Sequence, residues 1–386
     1  MNKKKLLFVI ESLCCGGAEK SLTCLLQELD YEKYEVDLQL FAGDGDFEKY
    51  IPDAVHFLEP LEPVRSHPVK KPFVRSAQKL FGLRCRFGFK SSSKRNMLMW
   101  RYKGWIYRGN EKEYDAAIAY SQGMPTFYVA DKINAKIKIA YKNSISGMEG
   151  KTLQYYRKYY AEYTYLIGVS EKVKALYTKL FPQYVDKLRV IYDINNAKLI
   201  SELAQENVAE SFGDILTLVT VGRLAPAKGY DLLVDAATYL KKNKITFRWY
   251  IIGEGQMRGW LEEEIRNNEL ENDVILLGKK MNPYPYMNKC DIYAAVSRRE
   301  GFGLTLAEAK ILEKPIVSTN FDSVYEQLRD GETGLIVNMG GQLIAEGIMR
   351  MASDDGLREN IVKNLKVEKK GNIEEAEKFQ TLLEGQ

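Results

Sequence analysis

With 386 residues, 45% of them apolar and 28% charged, the chain holds more core material than one ordinary domain buries, and disorder is excluded; two domains are expected. No apolar run approaches the roughly 20 residues that span a bilayer, and the opening run Leu6 to Ile10 is cut off by Glu11, short of a secretory signal. The net charge of +4 conceals thirteen basic and no acidic residues between Glu62 and Glu111, so one surface of the first half is expected to be strongly basic.

In chain order, short apolar or β-branched runs alternate with stretches of helical spacing, the pattern of parallel strands joined by crossover helices. The first half predicts strands at Leu6 to Ile10, Val36 to Phe41, Val55 to Leu58, Ala116 to Tyr120, Ile137 to Tyr141, Leu166 to Val169 and Val190 to Tyr192. After a polar, helix-prone stretch from Asn195 to Ser211, a second series runs Leu216 to Val221, Trp249 to Ile252, Val274 to Leu277, Ile292 to Val296, Ile316 to Ser318 and Leu335 to Val337. Each series opens with a strand and a glycine turn, Cys15-Gly16-Gly17-Ala18 in the first and Val221-Gly222-Arg223 in the second. An α/β protein is expected, with two Rossmann-like doubly wound parallel-sheet domains, 1–195 and 196–365, facing a cleft at the carboxyl ends of their strands. A closing segment, 366–386, carries an amphipathic helix at Ile373 to Leu383 that is expected to pack back on the first domain.

Five cysteines without a Cys-x-x-Cys pair, and only His56 and His67, argue against a disulfide framework, a histidine zinc site or Ser-His-Asp catalysis. A cytosolic, metal-free protein is the expectation. Chemistry concentrates instead in the second half. Val221 to Gly229 puts Arg223 and Lys228 on one loop leaving a strand, where two cations suit a pyrophosphate. The run Glu300-Gly301-Phe302-Gly303-Leu304-Thr305-Leu306-Ala307-Glu308 leads into an expected helix, Thr305 to Leu312, whose start offers N–H groups to an anion. Glu308 lies about one turn inside it, a carboxylate able to accept from two hydroxyls. Each element alone has a plainer reading: solvated cations, a first-turn carboxylate, an ordinary glycine turn. Gly253-Glu254-Gly255 counts only by its position.

Gly222-Arg223, Lys228-Gly229, Gly253-Glu254-Gly255 and Glu300 to Glu308, in that order, resemble the family 4 glycosyltransferases, retaining enzymes of the GT-B architecture within glycosyl transferases group 1. The resemblance implies a nucleotide-diphosphate sugar as donor, with UDP foremost, and neither cofactor nor metal. It implies retaining transfer to a hydroxyl of a lipid-linked saccharide or glycolipid in surface polysaccharide biosynthesis. Donor contacts would come from Gly17, Gly222, Arg223, Lys228, Glu300, Gly301, Phe302, Gly303, Leu304, Thr305 and Glu308. Among them Arg223, Lys228 and Glu300 would be catalytic, Glu300 near the transferred sugar and Glu308 on the ribose. Many members carry a histidine after the fifth strand of the first domain. Tyr141-Lys142-Asn143 stands there, and Asn143, which is neither acid nor base near neutral pH, is expected with Ser121 on the acceptor side. Two alternatives keep the fold: an inactive sugar-nucleotide-binding protein and a non-hydrolysing sugar-nucleotide epimerase.

The acid-free window 64–110 interleaves its cations with Phe73, Phe81, Phe87, Phe89, Trp100, Trp105 and Tyr107, a composition that suits an anionic membrane surface. No nucleic-acid motif accompanies it. A peripheral protein on the inner face of the cell membrane is expected.

Overall fold

The computed structural model of the chain describes residues 3–14, 16–43, 45–61, 92–143, 148–210, 212 and 215–384. Lys70, Lys71, Arg84 and Arg86 of the basic window, and Phe73, Phe81, Phe87 and Phe89, lie outside the described residues. Two compact units form, one from Met1–Ile194 with Ile373–Gln386 and one from Asn195–Asn372.

The first unit carries β1 (Lys4–Ile10), β2 (Tyr34–Leu40), β3 (Val55–Phe57), β4 (Asn110–Ala119), β5 (Ile133–Lys142), β6 (Tyr165–Gly168) and β7 (Leu188–Val190), all parallel, in the order β3-β2-β1-β4-β5-β6-β7. The second carries β8 (Leu216–Val221), β9 (Phe247–Ile252), β10 (Val274–Gly278), β11 (Ile292–Ala295), β12 (Ile316–Thr319) and β13 (Leu335–Val337), in the order β10-β9-β8-β11-β12-β13. In both sheets the order reverses beside the opening strand, at β1/β4 and at β8/β11. There successive loops depart to opposite faces and leave a crevice beyond the carboxyl ends of the strands.

Covering both faces of each sheet explains the apolar runs. Leu6 to Ile10 are 0% exposed. In the second unit Leu218, Trp249, Ile251 and Ala294 face the helices Tyr230–Lys242 and Gly341–Ser353, whereas their neighbours Val219, Tyr250, Ile252 and Tyr293 face Leu304–Ile311. The alternation along each strand thus separates two apolar layers rather than core from solvent.

Several strands depart from their expected bounds. β4 begins at Asn110 rather than Ala116, through a charged stretch, because its charges find partners on β2. Lys112 Nζ lies 2.8 Å from Glu35 and 2.9 Å from Asp37, and the Tyr114 hydroxyl donates to Asp37 at 2.7 Å. These contacts hold the Asp37 carboxyl below its ordinary range despite its burial. β7 ends at Val190, and the Tyr192 N–H turns instead to the Glu375 carboxylate at 3.0 Å. The last helix, Glu375–Glu384, buries Phe379 with its ring 5.7 Å from Phe8, and Lys4 Nζ donates to the Leu383 carbonyl at 2.7 Å.

Lys142, at the end of β5, is fully buried, its ammonium without a hydrogen-bond partner among the described residues and 3.6 Å from the centroid of the Tyr160 ring. Burial pushes its pKa well below the ordinary 10.5. The unfolded chain therefore holds a proton the folded one releases, and stability rises with pH across the window below 10.5. Lys142→Met, which keeps the length and removes the charge, should stabilise the fold by about 1 kcal/mol or more at pH 7. Thermal unfolding should show that gain shrinking towards pH 10.5; identical melting temperatures at pH 7 would contradict it.

Candidate active site

The recess of the second unit opens where β8 and β11 end. The loop after β8 runs through the turn Pro226–Lys228 to Gly229, whose φ is 68°. A Cβ at Gly229 would lie 2.1 Å from the Val296 carbonyl oxygen, so only glycine lets the two loops meet. Arg298 and Arg299 add N–H bonds to the Ala227 carbonyl at 2.8 and 3.2 Å.

This tie delivers Lys228 to Glu300, Nζ to Oε1 at 2.6 Å, with the Ser297 hydroxyl donating to the same oxygen at 2.5 Å. Ser297 is in turn fixed through its carbonyl, which accepts from Thr319 Oγ1 at 2.5 Å. Lys228, Ser297, Glu300, Gly303 and Thr305 line one recess, above the ring walls of Tyr230 and Tyr293. Burial raises the Tyr230 and Tyr293 phenols, with the Glu300 charge adding, so both remain protonated. Tyr230 donates to the Gly222 carbonyl at 2.7 Å, which holds the start of the Lys228 loop.

Gly303, at φ 93°, caps the helix Leu304–Ile311. The N–H groups of Gly303 and Leu304 have no acceptor among the described residues, as expected of a helix start. Gly301 is buried, Phe302 half-buried and Leu304 8% exposed. Glu308 is 0% exposed and accepts from the Tyr284 hydroxyl at 3.1 Å; it stands behind the recess rather than on its lining. Arg223 shares the loop of Lys228 but is exposed, off the lining, and in no ion pair among the described residues.

The remaining expected residues belong to the first unit. Gly17 is exposed at the first position of the helix Gly17–Gln27. Ser121 follows β4 and Asn143 follows β5, and the Ser121 hydroxyl and both amide atoms of Asn143 are buried without a hydrogen-bond partner among the described residues. Sequence reasoning missed Ser297, Thr319, Tyr230, Tyr284 and Tyr293. Of these, Ser297 carried a signal, since it is the first polar residue after an apolar strand.

One expectation about the basic window needs correction. Trp100 is 4% exposed, donates to Asp131 at 2.8 Å and stacks on the half-buried Tyr107, so Trp100 belongs to the core and not to a membrane face. The helix Ser92–Lys103 turns Ser93, Met97 and Trp100 inward at helical spacing, leaving Lys94, Arg95 and Arg101 outward. Trp105, 48% exposed, lies between Arg101 and Arg108 in sequence.

Residues 203–367 match the family model for glycosyl transferases group 1. Over 92% of both chains the sequence is 29% identical to the N-acetylgalactosamine-N,N'-diacetylbacillosaminyl-diphospho-undecaprenol 4-alpha-N-acetylgalactosaminyltransferase of Campylobacter jejuni. It is 27% identical to the poly(ribitol-phosphate) alpha-N-acetylglucosaminyltransferase of Staphylococcus aureus, over 53% of this chain and 43% of that protein. HepE of Anabaena, solved in complex with UDP and glucose, superposes with a TM-score of 0.71 at 18% identity, covering 99% of this chain and 100% of that one, so what it shares is the fold. The chain thus has the two Rossmann-like units of the GT-B architecture, and the second of them carries the residues that match glycosyl transferases group 1.

Proposed function

We propose that the chain moves a sugar, with retention of anomeric configuration, from a UDP-sugar to a hydroxyl of a lipid-linked saccharide or glycolipid. The observation that carries this is the convergence of Lys228, Glu300 and Ser297 with the N–H groups of Gly303 and Leu304 at the β8/β11 switch point. Breaking the bond between sugar and diphosphate puts negative charge on the leaving oxygen. A cation and helix-start N–H groups already in place stabilise that charge with little rearrangement. Arg223, exposed on the same loop, adds a second cation, so no metal or cofactor takes part in this reading.

Glu300 holds Lys228. An arriving diphosphate competes for that ammonium and frees the carboxylate towards the sugar. Glu308, from the helix behind, takes the ribose hydroxyls, and a diphosphate oxygen takes the proton of the incoming hydroxyl on the face it has just left. Gly17, Ser121 and Asn143 serve the acceptor side and the transferred sugar. UDP is favoured by the nucleotide in the HepE structure, and a lipid-linked acceptor by the undecaprenol-linked substrate named for the Campylobacter relative.

Three outcomes test this reading. Purified protein warmed with UDP-, GDP- and ADP-sugars should show a higher melting temperature with UDP-sugars, and the product formed on a lipid-linked acceptor should keep the donor's anomeric configuration by NMR. An inverted product would refute the mechanism. Lys228→Ala and Arg223→Ala should each lower kcat by about tenfold to a hundredfold with a smaller change in KM, whereas Glu308→Ala should mainly raise the donor KM. Unchanged kinetics in all three would remove the assigned site. Finally, the protein should sediment with vesicles containing phosphatidylglycerol, and Arg101→Glu with Trp105→Ala should weaken this several-fold, since each surface cation adds about 1 kcal/mol.

A further inference from the structure

The glycine loop after Glu300 is gripped from one side by two residues of the segment 323–327. Ser323 Oγ donates to the Glu300 carbonyl at 3.3 Å and to that of Phe302 at 3.5 Å. Gln327 Nε2 donates to the Phe302 carbonyl at 2.5 Å and to that of Gly303 at 3.3 Å. Ser323 is 0% and Gln327 9% exposed, so solvent does not compete for these donors. Gln327 is itself anchored, for Lys310 Nζ donates to its carbonyl at 2.6 Å and its own N–H goes to Val324.

In a trans peptide the N–H points opposite to the C=O of the same plane. Holding the carbonyls of Glu300, Phe302 and Gly303 therefore turns the N–H groups of Gly301, Gly303 and Leu304 away from Ser323 and Gln327. Gly303 allows this turn at φ 93°, and a Cβ there would lie 3.3 Å from Gln327 Nε2. Gly303 also lies on the lining of the recess with Lys228 and Glu300.

We propose that Ser323 and Gln327 are positioning residues that set these peptide planes, so that the N–H groups of Gly303 and Leu304 form the cradle for the diphosphate of the nucleotide sugar. The proposal rests on the donor-site reading above. Neither side chain touches the nucleotide; each acts through the carbonyls it holds. The cradle exists before the ligand arrives because Gln327 Nε2 spends its two hydrogens on two adjacent carbonyls.

The test compares ligands that differ only in the diphosphate. UDP, GDP and ADP are titrated into wild-type protein by calorimetry, and the corresponding nucleosides are followed at millimolar concentration by saturation-transfer NMR. Gln327→Leu, which removes both donors at similar volume, should weaken the nucleoside diphosphate about tenfold, equivalent to roughly 1.4 kcal/mol, and leave the nucleoside within about twofold. Ser323→Ala should act in the same direction to a smaller extent, and the double variant should not exceed the loss of both N–H contacts. Unchanged diphosphate affinity in both folded variants overturns the proposal while leaving the donor site intact. An equal loss for nucleoside and diphosphate overturns it too, in favour of a general packing role. Failure of the wild type to bind any of the three diphosphates overturns both the proposal and the donor reading.

Discussion

A parallel sheet covered on both faces has no place for unpaired charge along its central strands, and the chemistry of this protein follows from that constraint. In β8 and β11 every position but Thr217 and Thr220 enters one of two apolar layers, and those two hydroxyls donate to backbone carbonyls. Charged groups can collect only where the strands stop. At the β8/β11 reversal the loops part, and Lys228, Ser297 and Glu300 occupy the gap. The backbone approach of Gly229 to Val296 sets the separation of those two loops, and the length of a lysine side chain then suffices to reach the carboxylate.

That carboxylate resolves an electrostatic difficulty. A half-buried ammonium without a counter-charge would lose hydration and gain nothing, a cost of several kcal/mol if burial were complete. Glu300 supplies the counter-charge, and Ser297 keeps Glu300 oriented by donating to the same oxygen. The site is thus neutralised internally, with no bare cation at Lys228.

The legible part of the sequence was the part written in runs. Apolar stretches such as Leu216 to Val221 and Leu335 to Val337 mark their strands to the residue, because turn-forming residues bound them. β4 was less legible: its first half is charged, and what makes it strand is its pairing with β5 and the contacts of Lys112 and Tyr114 with Asp37, more than seventy residues away in sequence. The loops of Lys228 and Glu300 could be placed because each follows an apolar run, but their direct pairing carries no sequence mark. Gln327 was beyond reach for the same reason, since a single polar residue acting on another loop's carbonyls leaves no periodicity. Trp100 misled in the opposite way: cations surround it in sequence, yet the helix places it with Ser93 and Met97 on the inward face.

The packing of Phe379 against Phe8 joins residues from opposite ends of the chain, with the whole of the second unit threaded between them. Domains ordinarily fold in the order in which they leave the ribosome. Here the second unit is continuous, 195–372, and can close as soon as it emerges, whereas the first has most of its sheet made before that unit and the helix Glu375–Glu384 made after it. The unit begun first is therefore completed after the second, and until then Phe8 and its neighbours lack their Phe379 cover.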